Sequence, residues 1–208
     1  KALFFARGRA GCFGLSQSLY DGEPPCYDFD LAKAKKALAR VDSSFLKEPI
    51  DFYYNLQGGD DILKAVQFFE NQLKKNLKLK INLQGLETAQ MRDRLANDPP
   101  DIFRRGVAVA TPTCLGAVDA FSVGSPENFM KYTMPSAPFE TLQMPMASES
   151  KKKAACTEIL KDILEKNTLI PLGEQHWMIL AKKDFTGWQL NALNQLNLSR
   201  LRVAATAK

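Results

Sequence analysis

The sequence predicts an α/β fold with a βαβαβ core, a mostly parallel sheet and flanking helices. Two observations between Ile50 and Gly106 predict it: three short apolar runs alternate with two helical segments, and the first helical segment has an apolar stripe at helical spacing. Strand–helix alternation of this kind is typical of parallel sheets with right-handed crossovers. Such sheets bind ligands outside the carboxyl ends of their strands. We therefore expect functional groups in the loops at 55–60, 83–87 and 106–113.

The first strand and helix of this core follow from composition and spacing. Ile50–Asn55 is an apolar, aromatic-rich run, and the loop Gln57–Asp61 turns the chain into a helix that should end near Lys75. The residues predicted to be buried on that helix are Ile62, Ala65, Val66, Phe69 and Leu73. We expect Asn76 to end the helix as a left-handed C-cap, because Asn tolerates positive φ.

The second and third strands differ in character. Leu77–Leu83 alternates apolar and polar residues, which predicts a strand with one wet face near the edge of the sheet. A short helix is predicted near Thr88–Leu95, and Asp101–Phe103 forms the third strand. Because Arg104 and Arg105 follow directly, either this strand is short or the arginines reach solvent or a partner.

The segment before the core contains one predicted strand, a long loop and one predicted helix. Ala2–Ala6 is apolar and predicts a short strand, and the glycine-rich stretch 7–14 begins the loop. Its glycines do not stand between a strand and a helix, so a phosphate-binding loop is not expected. Asp28 is the expected N-cap of the helix, whose apolar residues continue at helical spacing to Val41.

The segment after the core is predicted to be loop-like over 106–147, where prolines are frequent and Pro126–Tyr132 is a short helical candidate. Loops of this length are often functional. A clear helix then starts at Ser148–Glu149. Its predicted buried stripe is Ala155, Cys156, Ile159, Leu160, Ile163 and Leu164. Trp177–Leu180 predicts a further strand.

Composition limits the functional classes. The 208 residues are 45% hydrophobic and 25% charged, which is ordinary for a globular domain, and no run of about 18 apolar residues predicts a membrane span. The chain starts at Lys1 without a signal-peptide pattern, so we expect a processed product or an excised fragment. The net charge of +5 comes with lysine clusters at 33–36, 74–80 and 151–153, which favour solvated faces over nucleic-acid binding.

The cysteines and the single histidine do not predict a metal site. Cys12, Cys26, Cys114 and Cys156 have no CxxC spacing, and His176 has no cysteine near it. A disulfide between Cys12 and Cys26 is plausible in an oxidising compartment, and Cys156 on an apolar helix face is expected to be a buried free thiol. We expect neither a metal nor a cofactor.

Four segments, in order across residues 20–190, resemble the oligopeptide/dipeptide-type solute-binding proteins of ABC importers (solute-binding protein family 5). They are Pro24–Leu38, similar to the family's Tyr-Asp-Pro-x-x-Ala-Lys-x-Leu-Leu segment; Ala65–Leu86; Asp101–Phe103 through Ser125–Met130; and Ile170–Leu172 with Lys182–Trp188, similar to the family's Ile-Pro-Leu and Val-x-Gly-Phe ending. The resemblance implies a periplasmic-binding-protein-like lobe, the C-terminal lobe of a two-lobed extracytoplasmic clamp. Its expected bounds are a lead-in or hinge at 1–27, the lobe at 28–183 and a return segment at 184–208.

The resemblance also indicates where ligand binds. The family's Gly-Trp-x-x-Asp motif after the third strand shapes the pocket, and its Asp neutralises the peptide amino terminus. Gly106–Ala110 aligns with this motif and lacks both side chains. A buried ammonium without a counter-charge is costly, so binding of an amino terminus requires that Asp119 substitute. The ligand-binding residues so predicted are Val107, Ala108, Ala110, Thr111, Asp119, Phe121 and Phe129, with core packing as the alternative role of the two phenylalanines.

Two functional hypotheses follow. The first is a lobe of an ABC import system that captures a peptide or other small solute by closing on a second lobe, with a membrane permease complex as a possible partner. The second is an orphan lobe that has lost transport and acts as a protein-interaction or regulatory scaffold. Catalysis is not expected, because Ser16, Ser18 and His176 form no evident triad, Asp60 and Asp61 fit a helix start, and Glu87 has no evident partner. Nucleic-acid binding and insertion into a membrane are not expected either.

Overall fold

The computed structural model describes residues 8–9, 19–22, 28–106, 111–171, 174–175, 182–190 and 196–203. The elements in chain order are β1 (Gly8–Arg9), α1 (Leu31–Leu38), β2 (Ile50–Asn55), α2 (Asp60–Leu77), β3 (Ile81–Leu86), α3 (Thr88–Asn97), β4 (Ile102–Arg104), α4 (Cys114–Val118), α5 (Ser136–Gln143), α6 (Glu149–Glu165), β5 (Glu174–Gln175), β6 (Phe185–Thr186) and β7 (Arg202–Val203). They form two compact units. One contains α1 to β4, and the other contains the remaining elements.

The unit at 28–106 is the predicted βαβαβ arrangement. Its three strands are parallel in the order β3-β2-β4, with Ile50 opposite Ile81 and Phe52 opposite Ile102. Phe52 and Ile81 are buried with Tyr54 in one cluster on Val66 of α2. Burial of each of these large side chains contributes about 1.5–3 kcal/mol. The opposite side of β2 is covered by α3, which buries Met91 and Leu95.

The end of α2 differs from the prediction. Asn76 was expected to be the left-handed cap, but α2 continues through Leu77 and the left-handed residue is Lys78, at φ 58°. The Lys78 amide donates to the carbonyl of Lys74 at 3.1 Å. Leu77 lies one turn after Leu73 on the half-buried side of the helix, so its side chain extends the apolar stripe. The following strand therefore begins at Ile81 rather than at residue 77, and it lies at an edge of the sheet as predicted.

The limits of α1 are also narrower than expected. Its N-cap is Asp30 rather than Asp28, since the Asp30 carboxylate accepts from the Lys33 amide at 2.8 Å. The helix ends at Leu38, and Val41 is 42% exposed. The predicted strands Ala2–Ala6 and Trp177–Leu180 lie outside the described residues.

The second unit has a helical core. The stripe predicted for α6 is buried in full, and it packs with Tyr20, Val118, Tyr132 and Leu142. Cys156 is not the free thiol that was expected: it forms a disulfide with Cys114 at the start of α4, with the two Cα atoms 6.0 Å apart. The expected Cys12–Cys26 pair lies outside the described residues.

The prediction of a loop over 106–147 is wrong at α4 and α5. Pro138 lies within the first turn of α5, where a helix does not need the missing N–H. The helical candidate at 126–132 is a series of turns instead. The Asn128 side chain accepts from the Tyr132 amide at 3.0 Å and donates to the carbonyls of Ser122 and Tyr132, which replaces helical hydrogen bonding with a closed loop.

Two short antiparallel pairs complete the second unit. β1 pairs with β5 and β6 pairs with β7. Among the helices in the described part of the chain, none has both the length and the hydropathy needed to cross a bilayer.

Candidate functional site

Polar side chains collect at the carboxyl ends of the three parallel strands. Asn55 is the last residue of β2, Glu87 directly follows β3, and Arg104 is the last residue of β4. Because the strands are parallel and adjacent, their carboxyl ends meet at one edge. This is the edge at which the sequence pattern placed function.

The amide and carboxylate groups at this edge mostly bind one another. Asn55 Nδ2 donates to Thr88 Oγ1 at 3.0 Å, and Gln57 Nε2 donates to Glu87 Oε2 at 2.8 Å, while the Thr88 hydroxyl donates to Gln57. Glu87 also forms a capping box with Gln90 at the start of α3. Glu87, which the sequence offered as a lone catalytic candidate without an evident partner, has contacts that explain it as a residue joining two loops.

Arg104 is different from its neighbours at this edge. Its side chain is half-buried, and among the described residues no carboxylate lies within ion-pair distance of it. Burial lowers the pKa of the Arg104 guanidinium. The pKa of Arg105 is lowered by burial as well, and then by the positive charge of Arg92. β4 is three residues long and ends at Arg104 itself, so the strand is short, which is one of the two alternatives that the sequence left open.

The buried Tyr54 side chain lies on the strand beside Arg104. Tyr54 is opposite Arg104 on one side and opposite Gly85 on the other. A Cβ at Gly85 would lie 2.8 Å from the Tyr54 hydroxyl and against the Leu56 side chain, so only glycine leaves room for both. Leu56 is 47% exposed. The edge therefore combines a half-buried cation with the exposed apolar side chain of Leu56.

The residues predicted to bind ligand lie on the other unit or outside the described residues. Val107, Ala108 and Ala110 are outside them. Thr111 is exposed just before α4, and its hydroxyl lies 3.1 Å from that of Thr113, the N-cap of α4.

The remaining predicted residues follow α4. Asp119 is exposed, and its main-chain carbonyl accepts from the Ser122 hydroxyl at 2.8 Å. Phe121 is partly buried against the core cluster of α6, as the core-packing alternative predicted, and Phe129 is half-buried in the Asn128 loop. Thr111, Asp119 and Phe121 are thus brought to one short helix and its ends. Their role in binding stays a prediction.

Comparison with known proteins gives a fold. No protein-family model matches the chain, and no curated protein does. Among solved structures it is similar to the murein tripeptide binding protein MppA of Escherichia coli, with a TM-score of 0.74, 15% identity, and coverage of 97% of this chain and 41% of that one. It is also similar to the ABC transporter substrate binding protein CtaP of Listeria monocytogenes, with a TM-score of 0.71, 15% identity, and coverage of 97% of this chain and 44% of that one. The chain has the fold of a lobe of these solute-binding proteins.

A third similar structure is Haemophilus influenzae OppA in complex with the peptide RPPGFSPFR, with a TM-score of 0.65, 15% identity, and coverage of 89% of this chain and 37% of that one. The chain thus spans less than half the length of each of these three proteins. The predicted fold class, a periplasmic-binding-protein-like α/β lobe, is confirmed. The sequence left the surroundings of the Arg104 side chain undecided, because the burial of that side chain depends on the packing around β4.

The described residues also contain no cluster of three or more His, Cys, Asp or Glu side chains that would suit a metal ion. The proteins compared are binding proteins by name.

Proposed function

We propose that the chain is a lobe of a peptide-type solute-binding protein of an ABC import system, which captures its ligand by closure against a second lobe. The observation that carries this proposal is Arg104, a half-buried guanidinium at the carboxyl edge of a parallel sheet with no carboxylate partner among the described residues. The similar folds support the same function.

The chemistry of Arg104 indicates an anionic group on the ligand. A partly desolvated cation costs free energy unless it is paired. The planar guanidinium binds a carboxylate through two parallel hydrogen bonds. A free peptide supplies such a carboxylate at its C-terminus or on an acidic side chain, and the exposed Leu56 side chain at the same edge offers apolar contact to the rest of the ligand.

The residues predicted around α4 belong to the other compact unit, and their contact with ligand is a separate proposal. We propose that Asp119 binds an ammonium group, because its exposed carboxylate is engaged, among the described residues, only by a long contact of 3.5 Å from the Ser122 hydroxyl. Val107, Ala108, Ala110, Thr111, Phe121 and Phe129 remain the predicted walls.

We also propose an extracytoplasmic location. The Cys114–Cys156 disulfide supports it, because such bonds persist in oxidising compartments and are rare in the cytosol. The permease complex of an importer is the expected partner in that location.

Calorimetric titration with RPPGFSPFR, its C-terminal amide and its N-acetylated form tests the proposal. We expect binding of the free peptide, and a loss of about 10- to 100-fold in affinity for the amide, since a hydrogen bond to a charged group contributes about 1.5–3 kcal/mol. Arg104→Ala should cause a loss of the same size and remove the difference between acid and amide. The affinity of Arg104→Lys for the free peptide should lie between those of the unaltered chain and Arg104→Ala, because lysine keeps the positive charge and lacks the planar guanidinium.

Arg40→Ala is the control, because it also removes one arginine, and Arg40 follows the end of α1, where its neighbours Ala39 and Val41 lie beside the end of α2 and before the amino ends of the strands. It should bind as the unaltered chain does. N-acetylation should weaken binding, and Asp119→Asn should remove that effect. No heat with any peptide, together with a stable complex with a partner protein, would contradict the binding function and support the scaffold alternative.

A further inference from the structure

A second surface lies at the opposite edge of the parallel sheet. An open groove of about 530 Å³ runs between the end of α1, the segment that follows it and the end of α2. The residues that line it are Lys35, Leu38, Ala39, Val41, Ser43, Leu46, Asn76, Leu77 and Lys78. Because β2 and β3 begin after these segments, the groove is at the amino ends of the strands, away from Arg104.

The floor of the groove is apolar. Leu38, Leu46 and Leu77 are half-buried, and Val41 is 42% exposed. α1 has no fully buried residue although its apolar residues share one side, and Phe45 in the following turn is 58% exposed. The apolar side of α1 is therefore only partly covered by α2.

The rim of the groove is basic. The segments 35–46 and 76–78 contain four basic residues, Lys35, Lys36, Arg40 and Lys78, and one acidic residue, Asp42. The Asp42 carboxylate accepts from the Ser44 amide at 2.8 Å. The lysine clusters at 33–36 and 74–80, which are far apart in the sequence, thus meet across this groove through Lys35 and Lys78.

Part of this charge has a local explanation. Lys35 and Lys36 lie in the last turn of α1, where they offset the helix dipole, and Lys74 pairs with Glu70. Lys78 is the C-cap of α2 and lies at the same end of that helix's dipole, but it adopts the left-handed conformation that glycine adopts at lower cost. A lysine at this position accepts the cost of the left-handed conformation and places a charge on the rim of the groove.

We propose that this groove binds an acidic amphipathic segment of a partner protein. The segment would place its apolar side chains on the leucines and its carboxylates against Lys35 and Lys78, which is the usual way in which a groove takes a helix. The groove lies between the ends of α1 and α2, which suits a single segment of chain, whereas a bilayer would meet mainly the exposed Phe45 beside it. The proposal does not depend on peptide capture at the carboxyl edge.

Fluorescence anisotropy with a labelled helical peptide of about 18 residues, leucines on one face and glutamates on the other, tests this proposal. We expect binding that weakens with added salt. Lys35→Glu with Lys78→Glu should reduce affinity about tenfold or more, because each exposed pair is modest but reversal turns attraction into repulsion. Lys151→Glu with Lys161→Glu makes the same change of charge at exposed positions of α6 and should leave affinity unchanged.

The variant Lys78→Gly distinguishes an effect on peptide affinity from an effect on the stability of the fold. It relieves the left-handed conformation, so thermal stability should rise or stay level while affinity for the acidic peptide falls several-fold. The proposal is wrong if the charge reversal and Lys78→Gly leave affinity unchanged, or if the same peptide with lysines in place of glutamates binds equally well. Binding to vesicles of phosphatidylcholine and phosphatidylserine in equal parts, with the same dependence on Lys35 and Lys78, would overturn it in favour of a membrane surface.

Discussion

At the residue scale, Tyr132 joins a loop to α6 through a polar group at the edge of the core. The ring is buried in the core cluster, and its hydroxyl donates to Asp162. Lys166 pairs with the same carboxylate at 2.9 Å, and its Nζ lies 5.3 Å from the centre of the Tyr132 ring. Since Asn128 fixes the backbone of Tyr132, one phenol positions the whole Asn128 loop on α6.

The ionisation of this group follows from its surroundings. Burial, followed by the hydrogen bond to Asp162 and its negative charge, raises the pKa of Tyr132 far above its usual value. Burial alone would raise the pKa of Asp162, but the hydrogen bonds from Tyr132 and Lys166 and the charge of Lys166 lower it overall. The folded state therefore favours a neutral phenol beside a charged carboxylate.

Tyr132→Phe should lower the free energy of unfolding by about 1 kcal/mol at neutral pH, at the lower end for a hydrogen bond to a charged group because Asp162 is partly solvated. The difference from the unaltered chain should shrink above pH of about 10, where the unfolded tyrosine ionises, and below about 4, where the unfolded aspartate binds a proton. Urea unfolding across pH measures both limits. In the Asp162→Asn background the same substitution should cost less, and an equal cost would contradict the coupling.

At the scale of elements, the start of α4 is a tight turn that holds a predicted site residue. Thr113 Oγ1 caps α4 by accepting from the Gly116 amide at 3.1 Å, and the Thr113 amide donates to the Thr111 carbonyl at 2.8 Å. A Cβ at Gly116 would lie 2.7 Å from that same carbonyl oxygen. The absence of a side chain at Gly116 therefore allows Thr111 to fold back onto the helix.

Gly116→Ala should destabilise the fold by about 1–2 kcal/mol, because displacing the Thr111 backbone costs more than alanine gains in helix propensity. Thermal unfolding measures the change. Gly106→Ala is the control, since a Cβ there meets open space, and it should be neutral. If Thr111 contacts ligand as predicted, Gly116→Ala should weaken peptide binding as well, whereas a stable variant with full affinity would remove Thr111 from the site.

The disulfide joins α4 to α6 across 42 residues of sequence. Replacing Cys114 and Cys156 together by Ala should lower the free energy of unfolding by up to about 4 kcal/mol, since the unfolded chain regains the entropy of that loop. Denaturant unfolding with and without reductant measures it. The loss should be large for the oxidised chain and small once both proteins are compared in reductant; an equal loss in both conditions would show that packing, and not the covalent link, is responsible.

The sequence predicted elements best where periodicity was strong. Every residue expected in the stripe of α6 is buried, because a long amphipathic helix leaves few alternatives. The end of α2 was predicted less well, since Asn76 satisfies local rules for a cap while Leu77 gains more from apolar contact. α4 and α5 were missed because they are short and lie among prolines, which local rules associate with loops.

At the scale of the whole molecule, the two compact units have different means of stabilisation. The unit at 28–106 depends on a parallel sheet with a helix on each face, while the other has a helical core tied by a disulfide. Parallel strands buried between helices need no covalent link, whereas short helices such as α4 have little helical stability of their own.

Reduction of the Cys114–Cys156 disulfide should therefore lower the local stability of the unit that contains α4 and α6, and not that of the unit at 28–106. Hydrogen exchange measured by mass spectrometry should show faster exchange in α4 and α6 after reduction, and unchanged exchange in β2, β3 and α2, because local stability follows local contacts. The Cys114→Ala, Cys156→Ala variant serves as control and should not respond to reductant. Equal acceleration in both units would contradict this assignment.

The sequence by itself determined the α/β class, the βαβαβ order and the long helix α6, because strand and helix periodicities are local properties of the chain. The tertiary structure alone decided the Cys114–Cys156 pairing, the meeting of two lysine clusters at one groove, and the burial of Arg104 without a carboxylate partner among the described residues. Each of these depends on which distant segments pack together. The spacing of residues along the chain does not indicate which distant segments come into contact. Arg104 could therefore be recognised as a candidate binding cation only from the tertiary structure.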